Sequence, residues 1–221
     1  MPNPAQGCRF ATVTGAIYLK GKDGLVELSE ESYESEELLQ SLLAEYPKLL
    51  AGEQMNLTAA RRWLLVKREA AVPDRDAGSG RWALDHLFLD QDAVPTLVEV
   101  KRSSDTRIRR EVVGQMLDYA ANGVAYWPVQ QLIADFEATC TDSGVNAEEE
   151  VKKLTGGALE PDEFWMQVKT NLQAGRIRMV FVADEIPSEL RRIVEFLNGQ
   201  LDPPRCSRSR CANTSVVGCR P

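Results

Sequence analysis

The sequence predicts an α/β fold, a central mixed sheet flanked by helices, and three observations carry that prediction. Residues 82–101 hold two runs rich in branched and aromatic residues around a polar turn at 90–95, the pattern of a β-hairpin. Ahead of it, Leu38, Leu39, Leu42, Leu43 and Tyr46 recur at helical spacing. Behind it, a second helical pattern runs over 107–122, and residues 176–183 read as a strand with one buried half. With 221 residues, 43% hydrophobic and 27% charged, the chain suits one globular domain, or one domain with a modest extension.

Each element has its own local signal. Short strands are expected at 16–19 and 25–28, around a Gly-Lys-Asp-Gly turn. Ser35 is a candidate N-cap that puts Glu36 and Glu37 in the first helical turn, where the helix dipole favours carboxylates; Pro47 marks the end of that helix. A strand at 62–72 and an Asp/Gly-rich loop at 73–80 lead into the hairpin. Ser103, Ser104 and Asp105 offer turn and cap chemistry before the helix over 107–122, with Gly123 as its stop. Charged helices follow at 129–139, 147–154 and 162–174, expected to cover the sheet or to face a partner. After the strand at 176–183, Asp184 and Glu185 read as turn and capping residues. Leu190, Ile193, Val194 and Leu197 line the apolar side of a last helix. Residues 1–127 would then be a core with N-terminal strands, 128–203 a helical extension with the strand and helix completing the domain, and 204–221 a tail.

Charge and cysteine usage narrow the function classes. A net charge of −7 argues against a general nucleic-acid coat protein, yet Lys101, Arg102, Arg107, Arg109 and Arg110 stand against Asp105 alone in one short stretch. The five cysteines form no Cys-x-x-Cys pair and a single histidine, His86, accompanies them, so zinc is not expected. The opening residues lack a basic start and an apolar run, and no membrane-length segment follows, so the expectation is a cytoplasmic protein without membrane contact.

The hairpin concentrates the chemistry. Side chains alternate along a strand, so Glu99 and Lys101 point one way while Val98 and Val100 point the other. A turn centred near Asp92 sets Asp85 across from Glu99, with Cβ atoms roughly 4.5–5.5 Å apart. Facing carboxylates repel unless a cation lies between them. A hard divalent metal would meet that need, and Lys101 beside it could steady a water or a phosphate. His86 neighbours Asp85, faces the opposite way, and reads as a packing histidine.

Asp85 followed by Glu99-Val100-Lys101 resembles the pattern of the PD-(D/E)XK nuclease superfamily, and within it the NucS-like DNA endonucleases. The same resemblance extends to Ser35-Glu36-Glu37-Leu38, to residues 114–119 (GQMLDY) and to 182–187 (VADEIP). It implies a restriction-endonuclease-like core and metal-dependent hydrolysis of DNA. Asp85, Glu99, Glu36 and the Val100 carbonyl would hold one or two Mg²⁺ or Mn²⁺ ions, and Lys101 would orient the attacking water. Glu37 is the alternative to Glu36. Gln115 and Tyr119, four apart on one helical face, resemble the Gln-x-x-x-Tyr element of RecB-type members, where the glutamine orients the metal site or the nearby phosphate. By themselves they read first as a half-buried polar residue and a core tyrosine; within the resemblance Gln115 would join the catalytic group and Tyr119 would contact nucleic acid. Arg107, Arg109 and Arg110 would clamp phosphates, or else form a solvated helix start. DNA is the implied partner and a homodimer a candidate assembly. The rival functions are a catalytically silent nucleic-acid-binding or assembly module of the same fold, and an exonuclease or junction-resolving nuclease.

The tail after Pro203 holds three of the five cysteines and four arginines, without periodicity. If GC-rich codons encode it, a one-base shift from the last base of the Pro204 codon reads Glu-Val-Leu-Ala-Val-Glu-Val-Arg-Gln-His, an amphipathic strand. The expectation is therefore an out-of-frame, disordered tail over 204–221.

Overall fold

The computed structural model describes residues 17–21, 24–31, 33–55, 59–73, 82–102, 104–105, 111–201, 206–211 and 213–216. In chain order these form β1 (Ile17–Gly21), β2 (Gly24–Glu31), α1 (Glu36–Glu45), a 3-10 turn (Pro47–Leu50), α2 (Gly52–Met55), β3 (Trp63–Val72), β4 (Trp82–Asp90) and β5 (Pro95–Val100). There follow α3 (Glu111–Tyr126), α4 (Val129–Asp142), α5 (Ala147–Thr155), α6 (Pro161–Gln173), β6 (Arg178–Ala183), α7 (Ser188–Gln200), β7 (Cys206–Arg210) and β8 (Asn213–Val216).

Two units result. The smaller holds an antiparallel sheet in the order β1-β2-β8. The larger, Tyr33–Cys211, is a mixed sheet in the order β3-β4-β5-β6-β7 with helices on both faces, and the boundary expected at 127/128 falls inside it. Strands β3, β4 and β5 are antiparallel; β5, β6 and β7 run parallel. The chain order of helix, three antiparallel strands, helices and a parallel strand is that of a restriction-endonuclease-like core. Among the described residues no helix is long and apolar enough to cross a membrane.

Burial explains the sequence pattern. All six residues of β5 are buried because it is the central strand, covered on both faces. One face packs Leu87, Leu89 and Leu97 under α3, α4, α5, α6 and α7, through Met116, Phe136, Leu154, Phe164 and Val194. On the other face Phe88, Val98, Val100, Val180 and Val182 meet Leu39 and Leu43 of α1. At the hairpin turn, buried Asp90 accepts the N–H groups of Asp92 and Val94, while Arg61 and Arg178 neutralise its other oxygen.

Two expectations are corrected here. Gly123 does not stop α3 but lies inside it, buried where a Cβ would come within 2.7 Å of the Trp127 ring. It serves close packing, and the helix ends instead before Pro128. The tail is not disordered at 206–211 or 213–216. β7 adds to the sheet alongside β6 and buries Cys206, Ser209 and Cys211, because the outer edge of β6 offers unpaired backbone groups.

Candidate active site

The site forms where β4 and β5 part. Their ladder pairs Leu87 with Leu97 and His86 with Val98 and ends there, one residue short of Asp85 and Glu99, which the hairpin sets opposite each other. There the Val100 N–H turns to the Asp85 side chain, donating to Oδ2 at 2.7 Å. On the other flank of β4, Arg68 pairs with His86 and Ala70 with Leu84, and between them the exposed Glu69 of β3 holds a left-handed φ of 52°.

Four charged groups meet at this point. Lys101 Nζ stands 3.1 Å from Glu99 Oε1, 3.0 Å from Glu36 Oε1 and 3.9 Å from Asp85 Oδ2, and donates to the Val100 carbonyl at 2.9 Å. Glu36 arrives from the first turn of α1, whose N-cap Ser35 accepts the Leu38 N–H at 3.0 Å. The Lys101 N–H donates to the Val182 carbonyl at 2.9 Å, tying the end of β5 to β6. Glu99 is only 2% exposed and Lys101 9%.

The electrostatics follow from that crowding. Burial raises the Glu99 carboxyl to about 7, and the Asp85 charge adds to the rise against the opposing pull of Lys101. Burial likewise raises Asp85, with Lys101 and the Val100 N–H working the other way. For Lys101 burial disfavours the ammonium, but Glu99, Asp85 and Glu36 outweigh it and the value rises. One ammonium against three carboxylates leaves the ionised cluster short of positive charge.

Among the described residues, the cation nearest Asp85 and Glu99 is the Lys101 ammonium. Among the described residues, no group of three His, Cys, Asp or Glu side chains is placed to hold a metal ion as it stands. The donor chemistry nonetheless fits a hard divalent ion: carboxylate and carbonyl oxygens converge. Glu99 Oε2 is buried without a hydrogen-bond partner. Such an atom is costly unless something binds it.

The remaining predicted residues divide. Glu37, the alternative to Glu36, is exposed and pairs with Arg68, away from the cluster. Gln115 donates to the Tyr119 hydroxyl, and the Tyr119 hydroxyl to the Ala83 carbonyl at 3.2 Å. Tyr119, expected to contact nucleic acid, is 2% exposed: its face of α3 packs on the sheet, where it braces the start of β4. Burial raises the Tyr119 hydroxyl, and Glu99 and Asp85 are near enough to add to that rise. Arg107, Arg109 and Arg110 lie outside the described residues. His86 is fully buried, stacked on Phe88, with Nε2 2.8 Å from the Gln40 carbonyl; burial lowers it to about 4, so it packs as a neutral ring. Asp184 accepts the Glu185 N–H at 3.0 Å, a turn contact.

No family model and no curated protein matches the sequence. Among solved structures, a repair endonuclease from Pyrococcus abyssi aligns over 83% of this chain and 49% of its own, at 14% identity and a TM-score of 0.41. The chain thus spans about half the length of that structure.

Proposed function

We propose that the chain is a metal-dependent DNA endonuclease of the PD-(D/E)XK type. The observation that carries this reading is the meeting of Glu36, Asp85 and Glu99 around one ammonium, with each carboxylate within 3.9 Å of Lys101 Nζ. Three acids and a lysine drawn from a helix and two strands are costly to assemble for stability alone. Asp85, Glu99, Glu36 and the Val100 carbonyl would hold one or two Mg²⁺ or Mn²⁺ ions. When bound, such an ion polarises the scissile phosphate and lowers the pKa of an attacking water. Lys101 touches Glu99, Glu36 and the Val100 carbonyl, so its ammonium is within reach of whatever they hold. It would orient the water or offset negative charge growing on the phosphoryl oxygens. Water attacks directly, and no covalent enzyme intermediate is required. Arg107, Arg109 and Arg110 complete the proposal as phosphate contacts.

One observation favours a second reading, a catalytically silent nucleic-acid-binding module: the Lys101 ammonium already pairs with all three carboxylates. Incubation with circular, linear, mismatched and branched DNA in Mg²⁺, wild type beside Lys101→Ala, separates the readings. Cleavage of the circle that is lost in the variant supports an endonuclease. Cleavage from ends or at branches alone points to an exonuclease or a resolving enzyme. Retention of every form without cleavage supports the silent module.

A further inference from the structure

Arg68 of β3 grips α1 at two points. It lies opposite His86 in the β3–β4 ladder, and its guanidinium donates from Nη1 to the Ser41 hydroxyl at 3.2 Å while Nη2 pairs with the Glu37 carboxylate. Glu37 and Ser41 are four residues apart, so the fork spans one turn on one face of the helix. His86 adds a third tie, its Nε2 donating to the Gln40 carbonyl at 2.8 Å. Arg68 Nε is buried without a hydrogen-bond partner, a cost that the two helix contacts must offset. Leu39 and Leu43 also hold α1 against the sheet, but apolar packing has no direction. The polar ties fix how the helix is turned about its own axis.

We propose that Arg68 is a positioning residue for Glu36: by fixing the rotation of α1 it delivers that carboxylate to the metal site. The inference rests on the metal-dependent reading above. Glu36 and Glu37 are neighbours, so about 100° separates them around the helix axis. With Glu37 held by Arg68, Glu36 is the acid left to meet Lys101, at 3.0 Å. Lys101 shares its ammonium among three carboxylates, whereas the Arg68 contacts are made to α1 itself. Groups that orient metal ligands typically change metal affinity about 10- to 100-fold when removed. Electrostatics alone has the opposite sign, because taking a cation from the neighbourhood of the carboxylates favours a divalent ion. Weaker metal binding without Arg68 is therefore the mark of lost positioning.

The test is Mn²⁺ binding followed by the electron paramagnetic resonance of free Mn²⁺, with folding checked by circular dichroism. Wild type, Asp85→Asn and Arg68→Met are compared, together with a helix-side variant, Glu37→Ala with Ser41→Ala, that removes both partners of the guanidinium. Binding by wild type, its loss in Asp85→Asn and a drop of about 10-fold or more in folded Arg68→Met support the proposal. The helix-side variant should drop likewise, and Arg68→Met added to it should bring no further loss, since the contact is already gone. Binding by Arg68→Met equal to wild type, with Asp85→Asn still defective, overturns the proposal and leaves the nuclease reading standing. A full further loss on the helix-side background overturns it too, because Arg68 then acts by another route. If Arg68→Met does not fold, the helix-side variant decides alone: a drop supports the proposal and wild-type binding overturns it. No Mn²⁺ binding by wild type overturns the metal reading and this inference with it.

Discussion

Glu99 Oε1 and Lys101 Nζ lie 3.1 Å apart, both nearly buried, two residues apart on one strand end. The alternation of β5 puts them on the same side, and the parting of β4 brings Asp85 and Glu36 to the same ammonium. The site's response to pH, to mutation and to metal follows from this excess of acid over base.

Stability should fall with pH in the metal-free protein across one window. Glu99 has its folded value raised to about 7 from an ordinary 4.5, so the folded state holds the proton longer than the unfolded chain does. Its contribution is favourable below about 4.5 and is lost as pH rises toward 7. The loss is at most about 3 kcal/mol by linkage. Urea unfolding at pH 5 and pH 7.5 checks it: the decline should shrink in Glu99→Gln and on adding Mg²⁺.

Asp85→Asn should stabilise the metal-free fold while removing function. The change takes one of three mutually repelling carboxylates from the cluster, and the asparagine oxygen can still accept the Val100 N–H. A gain of about 1 kcal/mol in thermal or urea unfolding is expected, the usual exchange between stability and activity at such sites.

Away from the site, Asp90→Ala should cost about 3–5 kcal/mol, because it strands Arg61, Arg178 and two turn N–H groups around a fully buried position. A urea midpoint unchanged from wild type would show that the ion cluster contributes nothing.

Gly123→Ala should destabilise by about 1–3 kcal/mol although alanine is the better helix former, since the new methyl meets the Trp127 ring. The thermal melt decides the sign.

Much of this arrangement was legible in the residues. The hairpin register is legible because its turn carries Asp90, whose side chain binds the turn backbone and fixes the pairing of His86 with Val98. Ser35 as N-cap set where α1 begins, but not which of two adjacent acids faces the sheet. That choice depends on the angle at which α1 crosses β4, a tertiary property, and Arg68 draws Glu37 outward. The hydrogen bond between Gln115 and Tyr119 was not legible, since helical spacing says that two side chains share a face, not that they bind each other. The tail misled for another reason. Its composition is wrong for a strand, yet β6 presents an edge that any chain can pair with. The shifted reading puts valine at the three buried positions now held by Cys206, Ser209 and Cys211, in keeping with the environment found there.

The most direct measurement is nicking of supercoiled circular DNA by the purified protein in Mg²⁺, with Asp85→Asn and Lys101→Ala alongside. The account predicts cleavage by wild type, none in a chelator, and losses of about 100-fold or more in both variants. Wild-type cleavage that Asp85→Asn retains in full would contradict it.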